Sequence, residues 1–209
     1  MGRLKEIRRK RALKLVFMAL AFPLFLSCGA VPPEDPFYLA EAKSSLARGH
    51  HWYQVGCYRE AERFFSESLT NARLSDSVLH IVMSLNAKGA SRLAAGDKSG
   101  AAAVLNEALE LTTSEPGRPE LPALLGNLGT LAYQAGRPED ARDFWSEASR
   151  EAETRGESPA PYLASLARLS FERGDGEAFK AALSSALSGL EDPSCPKSAR
   201  ADVLNLAAL

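Results

Sequence analysis

The sequence predicts an all-α protein: an α-solenoid of about four helix–turn–helix units closed by a C-terminal helix. Three observations carry this. Gly56, Gly96 and Gly136 stand 40 residues apart, and Gly174 follows after 38. Around each glycine the same residue sizes recur in register. Leu, Ala and Glu dominate while aromatics reach only 8% of the chain, a balance that favours helix over sheet. A fixed period of this length marks a stacked helical array.

Residues 1–27 read as a processing signal outside the fold. Of the 25 Lys and Arg in the chain, seven fall here, with one of the 26 acids. A basic run through Lys14 precedes the apolar stretch Leu15–Leu26 (LVFMALAFPLFL). Those 12 residues are too few to cross a hydrocarbon core, which takes about 20, and Pro23 interrupts them as a helix. Residues 28–36 carry three prolines in Ala30–Pro36 (AVPPEDP). Proline favours extended backbone, so this segment is expected to be a short tether.

The repeat domain is expected over 37–191. Seven residues before the turn glycines stand Gly49, Gly89, Gly129 and then Ala167; five after them stand Ala61, Ala101, Ala141 and then Phe179. Nine after come Phe65, Leu105, Trp145 and Leu183, and twelve after come Ser68, Ala108, Ala148 and Ala186. The small positions fall where two antiparallel helices cross closely, since a branched side chain would force the axes beyond about 8–10 Å. The large ones fill the space between neighbouring pairs. In Gly136–Asp140 (GRPED) the glycine can take positive φ after one helix and Pro138 suits the first turn of the next. Beyond EDPSCP, residues 196–209 place Ala199, Val203, Leu204 and Leu206 on one face of a short amphipathic helix. It is expected to cap the last unit, or else to dock another protein.

Leu24-Phe25-Leu26-Ser27-Cys28 resembles the lipobox of bacterial lipoproteins. The resemblance implies cleavage before Cys28, lipid on its thiol, and residence in the bacterial cell envelope. Gly29 in place of Asp implies the outer membrane, facing the periplasm. From about Leu39 to Leu190 the chain is similar to tetratricopeptide repeat (TPR) proteins, most closely over Asn127–Ala148 (NLGTLAYQAGRPEDARDFWSEA). The family period is about 34, so each unit here carries about six extra residues, as longer helices or as loops such as Glu115–Glu120 (EPGRPE).

In that family the first helix of each unit lines a groove for a peptide or partner helix. The resemblance puts Leu46, His50 and Tyr53, Asn86, Ala90 and Leu93, Asn127, Thr130 and Tyr133, and Ser165, Arg168 and Phe171 at groove positions. Tyr53, Leu93, Tyr133 and Phe171 share one place in all four units, either as a binding stripe or as packing. Aromatics and Arg are enriched at binding hot spots. The Lys, Asn and Arg set with which chaperone-binding members hold a carboxylate is largely missing.

Nothing in the sequence argues for an enzyme or a cofactor. There is no Gly-rich phosphate loop, HExxH or CxxC. Adjacent His50 and His51 point about 100° apart on a helix and cannot chelate one ion. His50, Cys57 and His80 match no known zinc spacing. Cys57 and Cys195, far apart along the array, are expected to be thiols rather than a disulfide. Without residues 1–27 the chain has 18 bases against 25 acids, about −7, which excludes a basic nucleic-acid surface. The expectation is a membrane-anchored adaptor or scaffold that binds a protein or peptide in an envelope complex, with no small-molecule substrate. An envelope hydrolase on a helical scaffold is the alternative.

Overall fold

The computed structural model describes residues 37–208 apart from 115, 116, 118, 119 and 194. Residues 1–27, Cys28 and the rest of the expected tether lie outside the described residues. Among the described residues there are nine α-helices and no strand: α1 Phe37–Gln54, α2 Tyr58–Leu74, α3 Val78–Ala94, α4 Lys98–Ser114, α5 Leu121–Gln134, α6 Pro138–Thr154, α7 Ala160–Glu172, α8 Gly176–Ser188 and α9 Lys197–Ala207. A 3-10 turn, Gly189–Glu191, ends the repeats. Each helix packs against the next, giving the expected solenoid of four helix pairs.

Apolar spacing decides which face each helix buries. On α2 the buried residues are Ala61, Phe64, Phe65, Ser68, Leu69 and Ala72, recurring at three and four residues as a core-facing stripe should. On α6, Ala141, Trp145, Ala148, Ser149 and Ala152 repeat the pattern.

The six extra residues per unit are mostly helix. α2, α3 and α4 are 17 residues each, joined by three-residue turns, so the true period is near 20 and two such steps make 40. The turns at Gly56, Gly96, Gly136, Gly156 and Gly174 close alike. At Gly96 (φ 85°) the glycine N–H donates to Leu93 O at 3.1 Å and Asp97 N–H to Arg92 O at 2.9 Å, which satisfies the orphan carbonyls of the helix end. At the α2–α3 turn Asp76 takes the same left-handed place (φ 52°). There its N–H reaches Arg73 O at 3.2 Å and Ser77 N–H reaches Ala72 O at 3.1 Å. Asp tolerates this conformation better than most residues with a Cβ.

The small residues of the first helices sit under the large residues of the second. A Cβ on Gly49 would stand 2.4 Å from the Phe65 ring, one on Gly89 2.5 Å from Leu105, and one on Gly129 2.4 Å from Trp145 Nε1. Phe65 and Trp145 therefore fill their own pair above the glycine as well as the seam to the next unit, where they meet Ala87 and Leu169. Full burial of one such side chain contributes roughly 1.5–3 kcal/mol. Ser68 replaces the Ala of later units and ties three helices together. Its hydroxyl donates to Ala42 O at 2.8 Å and lies 2.7 Å from Ser84 Oγ, so the Ser84 hydroxyl donates to Ser68.

The fourth unit keeps register at Ala167 and Ala186, both fully buried. Phe179 packs partly into the cluster they form with Val203 and Leu206. α9 closes the array as a cap, burying Ala199, Val203 and Leu206 against α7 and α8. Leu204 departs from the expected face: it is exposed, because its neighbours Val203 and Leu206 already occupy the contact with α7 and α8.

Candidate functional site

The first helices face one another along the array. α1 touches α3 and α3 touches α5. Between α5 and α7, Tyr162 covers Gly126 so closely that a Cβ there would meet its ring at 2.7 Å. Two hollows open on this side. The first, about 210 Å³, has His50 and Tyr53 from α1, Asn86 and Ala90 from α3 and Asn127 from α5 around a base of Phe65 and Met83. The second, about 170 Å³, lies between Thr130 and Tyr133 of α5, Trp145 of α6, and Ser165 and Arg168 of α7. Nine of the twelve residues assigned to the groove from sequence line these two hollows.

Leu46, Leu93 and Phe171 do not. Leu46 is buried beside Phe65. Leu93, at 4% exposure, packs with Leu85, Leu105 and Leu128 in the largest core cluster. A compact aliphatic side chain at this place lies down into the seam, whereas the aromatic rings of the other units reach outward. The four residues are therefore not one continuous exposed stripe. Tyr53 and Tyr133 are half-buried, and Phe171 is 48% exposed with its ring 5.4 Å from that of Phe179. Tyr133 stands 5.9 Å from Trp145 and directs its hydroxyl at the Glu172 carboxylate, 2.7 and 2.8 Å from the two oxygens. With one proton it donates to one oxygen at a time, and that bond raises its pKa. Its truncation would disturb the packing of α5 on α6 and α7.

The polar chemistry of the first hollow is an amide pair. Asn127 Nδ2 donates to Asn86 Oδ1 at 2.7 Å. Asn86 Nδ2 and Asn127 Oδ1 take no hydrogen bond among the described residues, so the pair offers a free amide NH2 group and a free carbonyl oxygen. His50 lies edge-on to Phe65 with centroids 5.1 Å apart, and burial lowers its pKa, which favours the neutral ring. Glu120 borders this hollow in a left-handed conformation (φ 59°). Within the segment EPGRPE it gave no sequence signal. Burial, then the nearby Glu157 carboxylate, push its pKa above 4.5, with Arg155 opposing.

That shift has a stability consequence. A raised folded-state pKa favours folding fully below the unfolded value and loses that contribution as pH rises through the folded value. Glu120→Gln is therefore expected to raise the melting temperature at pH 7, with the gain shrinking as the pH falls below Glu120's own titration. A pH series of thermal melts checks this; an equal gain at pH 3 and pH 7 would remove ionisation as the cause.

A third hollow, about 370 Å³, lies among α6, α7 and α8 and was not anticipated. Its two guanidiniums are already paired, Arg173 with Glu139 and Arg142 with Glu139 and Asp143. Among the described residues no three His, Cys, Asp or Glu gather to hold a metal ion. His80 instead faces Ser77, its Nδ1 2.8 Å from the hydroxyl. Cys57 and Cys195 are free thiols, exposed and buried respectively. Among the described residues no helix is long and apolar enough to cross a membrane. No protein-family model matches the chain, and no curated protein matches it in sequence.

Proposed function

We propose that this chain is a lipid-anchored bacterial envelope protein whose TPR-like solenoid holds a protein or peptide partner along its first helices. The observation that carries the reading is the line of two hollows, each built from same-register residues of successive first helices. The Asn86–Asn127 pair presents a donor and an acceptor to the first hollow, which suits one peptide group of an extended partner. Apolar and aromatic walls around a few placed polar groups are the usual make-up of a binding site. The lipobox-like Leu24–Cys28 supports the anchor, and Gly29 supports the outer membrane.

Photo-crosslinking tests this without truncating any packing residue. A crosslinking side chain at Ala90 or Arg168 in envelopes is expected to give adducts of defined mass. The same group at Asn106 or Glu147, on second helices, is expected to give none. Identical adducts from both sets, or none from Ala90 and Arg168, would remove the groove as the binding surface.

A further inference from the structure

We propose that the edge of the solenoid formed by the start of α1 and the α2–α3 turn rests on the lipid bilayer, a second contact besides the acyl group. The proposal rests on the reading of Cys28 as lipidated. Eight large hydrophobic side chains are exposed among the described residues, and Phe37, Tyr38, Leu74 and Leu79 are four of them. α2 runs back against α1 and α3 against α2, so the start of α1, the end of α2 and the start of α3 share one edge. All four residues lie there. Phe37 is 71% and Leu74 58% exposed, and none of the four belongs to a core cluster. The rings of Phe37 and Tyr38 meet edge-on, 5.5 Å apart.

The apolar character is local. Farther along the same edge the α6–α7 connection presents Glu153, Arg155 and Glu157. The opposite edge, with the glycine turns, carries Arg59, Glu60, Asp97, Lys98, Glu139 and Asp140. The other four exposed large hydrophobics, Val55, Phe171, Leu187 and Leu204, are spread singly over the rest of the array, so only this end gathers several. Chain length says what covers it. Nine residue steps separate Cys28 from Phe37, and an extended chain spans at most about 3.3–3.6 Å per residue. An acyl group on Cys28 therefore keeps this edge within roughly 30 Å of the lipid. Tyr with Phe and Leu is a composition suited to the interface, where an amphipathic ring sits at headgroup level. The chain beyond residue 27 carries about −7, so attraction to anionic lipid is not the driving force. The contact is apolar and survives high salt.

The experiment uses the full, lipid-modified protein in phosphatidylcholine vesicles, with an environment-sensitive fluorophore on the thiol introduced by Leu79→Cys in a Cys57→Ser background. Labelled Cys57 of the otherwise native chain, at the opposite edge, is the reference, and Leu74→Cys is a second probe. At the depth of about 5–10 Å that interfacial apolar side chains reach, probes at positions 79 and 74 should shift to the blue and lose about half their emission or more to spin-labelled lipid. The probe at position 57 should do neither. Protein that floats with vesicles while positions 79 and 74 behave like position 57 would overturn the edge contact and leave the anchor standing. A blue shift without lipid quenching would assign the edge to a second protein copy and also overturn it. Protein that carries no lipid on Cys28 and fails to float would remove the anchor reading and this proposal together.

Discussion

Gly129→Leu is expected to lower the melting temperature sharply and to weaken the third unit against both neighbours. In an exposed helix interior Gly is the poorer residue, by about 1 kcal/mol against Ala. Here the sign reverses. A Cβ at position 129 would lie 2.4 Å from Trp145 Nε1 and 2.5 Å from its Cδ1. The indole cannot step aside: it is 5% exposed and its N–H donates to Gly126 O at 3.1 Å. Leu adds three further carbons to a filled space, and overpacking of this kind costs about 1–3 kcal/mol. The Trp145–Gly126 bond is lost with it. Gly176→Ala is the matched control, because a Cβ there meets nothing within 4 Å. Thermal melts should show Gly129→Leu well below the parent and Gly176→Ala level with or above it. Equal melting temperatures for all three would mean that the pair is not seated on this glycine.

Cys28→Ala is expected to have an all-or-none effect on lipid attachment. On the lipoprotein reading, the Cys28 sulfur is the only atom that receives the diacylglyceryl group, and alanine offers no nucleophile in its place. Labelled fatty acid should disappear from the protein, and the chain should keep its first 27 residues. The domain would then lose an anchor worth about 0.8 kcal/mol per buried methylene. Continued incorporation of labelled palmitate by the mutant would remove the lipoprotein reading outright.

The fold was largely legible because its determinants are sizes at fixed spacing. Gly49 under Phe65, Gly89 under Leu105 and Gly129 under Trp145 repeat every 40 residues, and a Cβ at any of the three would stand within about 2.5 Å of the side chain above it. The intermediate period was hidden because Asp76, not glycine, makes the α2–α3 turn. The groove was legible only as a set of positions. Spacing places Leu93 in register with Tyr53 and Tyr133, yet side-chain length decides whether that place faces outward or lies in the seam. The position of Leu204 likewise depends on which neighbours reach α7 and α8 first. Glu120 could not be found from sequence because its place beside the first hollow depends on how the start of α5 sits against α3.

Most interhelical contacts join neighbours along the chain. Each hairpin closes over about 20 residues, so little loop entropy must be lost before packing compensates it. Such local topology places folding in the microsecond-to-millisecond range. It also makes cooperativity short-ranged, since a unit is held by its immediate neighbours alone. A chain delivered amino terminus first can therefore complete α1–α3, sealed by the Ala42–Ser68–Ser84 hydrogen bonds, while α7–α9 are still unmade. Amide exchange should be slowest in α3–α5, which have neighbours on both sides, and fastest toward α9.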